Sequence, residues 1–123
     1  MRKRRVVAIV PDLFFATRIA ETSKRLGVDL ITATAERALE VCRAEPPDLV
    51  IVDLAAAGVP GDLVRAIKLD PALAASQVVG FYPHVEVELR QRALAAGVDQ
   101  VLPRSAFTVR LAALLSGERH STP

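Results

Sequence analysis

The sequence predicts a doubly wound α/β sandwich, one parallel five-stranded sheet with helices on both faces. Two observations lead there. Five short apolar, β-branched runs recur along the 123 residues, each followed by a stretch with helical spacing. Gly or Pro punctuates most of the joints between them. In so short a chain, that alternation implies a parallel sheet covered on both sides. Right-handed crossovers then favour strand order 2-1-3-4-5, one of two common forms.

The first strand is Val6–Val10, followed by Pro11 and Asp12. Behind it Phe15, Ile19 and Leu26, with Ala16 and Ala20 beside them, mark the inner side of a helix that Gly27 stops. Val28–Thr32 is the second strand. Thr34 is the expected N-cap of the next helix, whose Ala35, Ala38, Leu39 and Cys42 recur at i, i+3, i+4 and i+7. Pro46-Pro47 closes it, and Leu49–Val52 forms the third strand, running into Asp53. Leu63 and Ile67 mark a short third helix closed by Asp70-Pro71. The fourth strand, Val78–Phe81, ends on Tyr82-Pro83. The helix after it carries Leu89, Ala93 and Ala96 inward and the pairs Glu86/Arg90 and Glu88/Arg92 outward. Gly97 stops that helix. Val98–Leu102 is the fifth strand, ended by Pro103-Arg104, and Ser105 is the expected cap of a last helix bearing Phe107, Leu111 and Leu114. One domain therefore fills residues 1–123, with a core over 6–116, a basic arm at 1–5 and a tail at 117–123 that reads as frayed.

Composition narrows the function classes. Hydrophobic residues make up 51% and charged residues 24%, which is globular rather than disordered. The apolar runs are far too short to span a bilayer, and the start lacks a signal-peptide pattern. Cys42 is the only cysteine, so there is no intrachain disulfide, and the expected setting is cytoplasmic. The net charge is +2, but Arg2, Lys3, Arg4 and Arg5 supply four positive charges, leaving 12 basic against 14 acidic residues elsewhere. A nucleic-acid face needs more, so the arm reads as a solvated run. No G-x-G-x-x-G, P-loop or G-x-S-x-G motif occurs, and His84 and His120 are not spaced as ligands. An enzyme is not expected.

Function in such folds sits beyond the carboxyl ends of the strands. "LVIVDL" drives four apolar residues into a central strand and stops on Asp53. A buried carboxylate there needs solvent, a cation or hydrogen-bond donors; the plain alternative is a loop or cap acid. Asp12 ends the neighbouring strand and serves equally as a cap of the first helix. Two such carboxylates at adjacent strand ends raise the odds of a shared hard cation, Mg²⁺.

The order "VVAIVPD … LVIVDL … GVPG … VVGFYP … AAGVDQVLPRS" resembles the receiver domain of bacterial two-component response regulators, over residues 6 to about 116. The resemblance implies a flavodoxin-like fold and makes Asp53 the phosphoacceptor for a histidine kinase. By the same resemblance Asp12 and Asp53, with the backbone carbonyl near Ala55, hold Mg²⁺. Four places depart from the family's pattern. Pro11 replaces the first of two adjacent acids. Tyr82 stands in the place of a phosphate-binding Ser or Thr. Arg104-Ser105 replaces Lys-Pro, and Val101 replaces the aromatic switch residue. Arg104 keeps the positive charge but not the geometry of an ammonium, and is otherwise a surface Arg at a helix start. Tyr82 is too long for the short reach of a Ser; the plain reading is a half-exposed Tyr at a strand end.

Together these departures describe a degenerate, pseudo-receiver-like signalling module that docks to a histidine kinase or another signalling protein. The alternative is an adaptor that binds a partner without phosphoryl chemistry. For either, the natural surface is helix 4, strand 5 and helix 5, which is also a candidate for homodimerisation. Val87 and Leu94 lie seven apart, off the Leu89–Ala93–Ala96 stripe, and are its candidate apolar patch unless they pack in the core.

Overall fold

A computed structural model describes residues 3–56, 61–83 and 87–117. Ten elements alternate: β1 (Arg5–Ile9), α1 (Leu13–Leu26), β2 (Asp29–Thr32), α2 (Ala38–Ala44), β3 (Leu49–Asp53), α3 (Gly61–Leu69), β4 (Gln77–Tyr82), α4 (Val87–Ala96), β5 (Gln100–Pro103) and α5 (Arg104–Ser116), with a 3-10 turn at Pro71–Leu73. The five strands form one sheet in the order β2-β1-β3-β4-β5, all neighbours parallel. That is the predicted doubly wound topology.

The three inner strands are buried along nearly their whole length because helices cover both faces. Alternate residues feed two separate cores. Val7, Ile9, Val50, Val52, Val78 and Tyr82 face α2, α3 and α4. Val6, Ala8, Leu49, Ile51, Val79 and Phe81 face α1 and α5. Cys42 lies in the first core, and burial pushes its thiol up to about 11 against the opposing pull of Arg5.

Several boundaries differ from the expected ones, each for a local reason. In α1 the buried residues are Phe15, Ile19, Thr22 and Ser23, while Ala20 is exposed and Leu26 is 43% exposed. Thr22 tolerates burial by returning its hydroxyl to the Arg18 carbonyl at 2.9 Å. Thr34 does accept from Arg37 N–H, at 3.3 Å, but it closes a turn ahead of α2, so Ala35 lies outside that helix. Ser105 is not a cap. Pro103, extended at φ −67°, ψ 155°, takes the cap position and α5 begins at Arg104. The expected stops at Gly27 and Gly97 both have positive φ, which glycine adopts without a Cβ penalty.

The solvated basic arm needs the largest correction. Arg5 is 8% exposed and opens β1. Its Nη1 pairs with Asp29 at 3.1 Å and its Nε donates to the Glu45 carbonyl at 2.9 Å. Arg4 donates Nε to the Leu115 carbonyl at 2.8 Å and Nη2 to the Leu114 carbonyl at 3.2 Å. It thereby satisfies the last carbonyls of α5, where a cation is also favoured by the helix dipole. Two of the four arm charges are thus structural. Of the expected solvated pairs, Arg92–Glu88 forms at 3.8 Å, while Glu86 and both histidines lie outside the described residues, as does the tail beyond Gly117. No described helix is long and apolar enough to cross a membrane.

Candidate functional site at the carboxyl ends of the strands

The register levels the strand ends at one edge. Ile9 lies opposite Val52, Asp53 opposite Phe81, and Tyr82 opposite Pro103. Asp12, Asp53 and Arg104 therefore leave the same rim of the sheet, from β1, β3 and β5.

Asp53 is 6% exposed. Its Oδ1 accepts from Ala55 N–H at 3.0 Å, an Asx-type turn that starts the loop out of β3. The loop is held on its other side by Leu54 N–H, which donates to the Phe81 carbonyl at 2.9 Å. Asp12 is exposed and caps α1, with Oδ1 accepting from Phe15 N–H at 3.1 Å. It sits in extended backbone (φ −66°, ψ 116°) just after Pro11, as a cap requires. Among the described residues no three of His, Cys, Asp and Glu converge on one point. The acid donors at this rim are thus two carboxylates, each with one oxygen already committed to a backbone N–H.

Arg104 does not reach Asp53. Its guanidinium lies 4.5 Å over the Phe15 ring, and its Nε is buried without a hydrogen-bond partner. Among the described residues no ion pair joins it to any carboxylate. Phe15 continues the stack inward, 5.5 Å from Phe81, which lies 4.5 Å from Phe107. Such pairs favour offset and tilted contact and fix α1 and α5 against the sheet directly beneath the rim.

Tyr82 corrects the half-exposed reading. It is 1% exposed and belongs to the core under α3 and α4, together with Val101, which is 7% exposed. β4 runs one residue further than expected, and its parity turns Val78, Gly80 and Tyr82 to that face. Gly80 explains the local packing. A Cβ there would meet Leu54 Cδ1 at 2.6 Å and Cγ at 2.7 Å, so the Leu54 side chain occupies the space a larger residue would fill. Sequence reasoning missed Phe15, Leu54 and Gly80 as parts of this rim. A lone glycine inside a buried strand was the available signal, since it marks close approach. On α4, Val87 is 66% and Leu94 45% exposed, and the inward residues are Ala93 and Ala96 with Leu89 half-buried.

This arrangement can be compared with known structures. The chemotaxis response regulator CheY4 of Vibrio cholerae superimposes with a TM-score of 0.82 at 17% identity, over 94% of this chain and 98% of that one. A response regulator from Hahella chejuensis gives 0.82 at 20% identity, over 93% of each chain. The chain has the receiver-domain fold. The phosphorylated cyanobacterial phytochrome response regulator RcpA is also similar, with a TM-score of 0.76 at 18% identity over 94% of this chain and 91% of that one. No family model and no curated protein matches the sequence itself. On this receiver fold, Asp53 occupies the carboxyl end of the central strand, and Tyr82 and Arg104 occupy the ends of the next two.

Proposed function

We propose that this chain is a response-regulator receiver-like signalling module in a two-component phosphorelay, with a reduced phosphorylation site on Asp53 and an output made by docking to another protein. The observation that carries this reading is the Asp53 carboxylate, buried at the rim with one oxygen tied to Ala55 N–H. That bond orients the group and leaves Oδ2 as the nucleophile. Oδ2 forms an O–P bond with a phosphohistidine of a kinase while the P–N bond breaks, and the imidazole nitrogen leaves with the electron pair. Phosphoryl transfer asks the protein mainly for positioning and charge neutralisation.

Asp12 and Asp53, with a backbone carbonyl near Ala55, are the oxygen donors for Mg²⁺. The ion keeps several waters in most sites, so two carboxylates suit a weak, hydrated site. Bound Mg²⁺ supplies charge neutralisation for the incoming phosphoryl group. Arg104 contributes only by leaving Phe15, at the cost of a cation–π contact of about 0.5–2 kcal/mol.

That cost favours a second reading, an adaptor that binds its partner without phosphorylation. Its supporting observations are Arg104 stacked on Phe15 and Tyr82 buried in the core. Its surface is α4, β5 and α5, with Val87 and Leu94 as the apolar contacts and a homodimer as one form of partner.

An amide-resolved NMR titration with Mg²⁺ and then beryllofluoride, an acyl-phosphate mimic, separates the two. Saturable shifts at Asp12, Asp53 and Arg104, lost in Asp53→Asn, support the phosphorelay reading. Spectra unchanged at millimolar additions reject it in favour of the adaptor.

A further inference from the structure

Asp12 and Arg104 leave the rim on opposite sides of Asp53, after β1 and β5, and Phe15 touches both. Its N–H donates to Asp12 Oδ1 at 3.1 Å, and its ring lies 4.5 Å beneath the Arg104 guanidinium. The ring is 7% exposed and leans on Phe81, 5.5 Å away, so it is fixed in the core and cannot follow the guanidinium outward. Strand parity puts Asp53 on the same side. Leu49 and Ile51 face α1 and α5, so Asp53, next in that alternation and opposite Phe81, leaves β3 toward that face. The Tyr82 ring, by contrast, is turned to the other core.

The stacked pose satisfies Arg104 only in part. The aromatic contact serves the face of the guanidinium, but Nε is buried without a hydrogen-bond partner. A buried donor left without an acceptor is costly, so the pose holds only while no better acceptor is in reach. The Asp53 carboxylate, with one oxygen already on Ala55 N–H, does not draw the guanidinium off the ring. A phosphoryl group on Asp53 changes that balance. Adjacent strands lie about 4.8 Å apart, so β3 and β5, with β4 between them, are about 10 Å apart at the rim. An extended arginine facing an aspartyl phosphate covers that gap, and the added oxygens accept charge-assisted hydrogen bonds from its fork.

We propose that Phe15 is a positioning residue for the Asp53 site: it holds Arg104 in a parked pose and so sets how tightly an acyl phosphate on Asp53 is held. This rests on the phosphorelay reading of Asp53 and adds to it a gate made from this chain's own residues. Arg104 has two positions, stacked on Phe15 or paired with the phosphoryl oxygens. The apparent affinity of the site is its intrinsic affinity reduced by the fraction of Arg104 that is free of the ring. Departure of the guanidinium also frees the first residue of α5, since Arg104 opens that helix. An event at Asp53 thus reaches α5 through Arg104, bypassing Tyr82 and Val101 in the opposite core.

The test titrates beryllofluoride, at a fixed millimolar Mg²⁺ concentration, into the isotope-labelled full chain and its variants. Phe15→Leu keeps an apolar side chain but removes the ring, and it should bind beryllofluoride about two- to thirtyfold more tightly, the strength of a cation–π contact expressed as affinity. Phe15→Tyr keeps the ring and should bind as the wild type does. The gain should vanish in Phe15→Leu with Arg104→Gln, whose affinity should equal that of Arg104→Gln alone. The wild type gives a second measurement that needs no stable variant. The Arg104 Nε–H resonance, shifted by the Phe15 ring, should move to an ordinary position once beryllofluoride is bound. A resonance that keeps its ring shift in the bound state would overturn the proposal. So would a gain in Phe15→Leu that survives Arg104→Gln, because Phe15 would then act by loosening α1. Binding that Asp53→Asn abolishes, at equal affinity in the wild type and Phe15→Leu, would overturn the gate and leave the phosphorelay reading standing. No binding in either protein would overturn both.

Discussion

Gly80→Ala tests the packing that supports the Asp53 loop. The new Cβ would lie 2.6, 2.7 and 2.9 Å from Leu54 Cδ1, Cγ and Cδ2, all inside normal contact. Gly80 is buried on an inner strand paired on both sides, so the backbone has little room to yield and Leu54 must move. Overpacking of this kind costs about 1–3 kcal/mol. Replacing glycine returns about 0.4–1 kcal/mol by restricting the unfolded chain. The net loss is about 1–2 kcal/mol, a fall in Tm of roughly 4–10 °C for a domain of this size. A second substitution isolates the cause. Leu54→Ala removes the obstructing atoms and, at a half-buried site, costs about 1–2 kcal/mol alone. In that background Gly80→Ala should be neutral or slightly stabilising, giving a coupling of about 1–3 kcal/mol in a double-mutant cycle. Urea unfolding of the four proteins measures it. The amide of Ala55, hydrogen-bonded to Asp53, should shift in Gly80→Ala as Leu54 is displaced. Additive energies, or a Gly80→Ala protein as stable as the wild type, would refute the account of Leu54 seated on Gly80.

Other expectations follow from single contacts. Asp12→Ala removes the α1 cap and should cost about 1 kcal/mol, whereas Asp12→Ser should retain most of it; equal losses in urea unfolding would mean the cap is not what Asp12 contributes. Arg104→Ala should lose about 0.5–2 kcal/mol through the lost stack on Phe15, while a stability unchanged within error would show the contact is idle. The Cys42 thiol, held neutral by burial, should react with a thiol reagent at pH 8 only through opening of the fold, so urea should accelerate labelling. Its raised pKa also favours the protonated form in the folded state. The unfolded chain therefore loses that proton first, and stability should fall as pH rises from 9.0 towards about 11. Cys42→Ala should flatten that part of the pH profile. At Asp70, the hydrogen bond from Arg43 holds the carboxyl below its usual range, so Arg43→Ala should raise its pKa in a carboxyl NMR titration.

The architecture and much of the rim were legible in the linear chain for a simple reason. Strand runs, glycine stops and a carboxylate after four apolar residues are local patterns, and parallel topology then carries the strand ends to one edge. Asp12 and Asp53 could be assigned to that edge from spacing alone, and the cap at Asp12 needed only the neighbouring helix start. What the chain order could not decide was where long side chains spend their reach. Arg4 and Arg5 read as a solvated arm, but the carbonyls they cap and the acids they pair with come from distant segments, about 110 residues away for Arg4. Tyr82 read as a half-exposed end residue until the parity of β4 turned it inward, and Gly80 had no visible partner until Leu54 was folded onto it. Arg104 marked the right strand end, yet its guanidinium chose the face of Phe15, a residue from the opposite end of the chain. Local sequence sets which backbone groups form strands and helices because those hydrogen bonds are short-range in sequence or repeat regularly. Only the folded packing decides which charged and aromatic groups meet, because those encounters depend on distances between elements that the sequence does not encode one residue at a time.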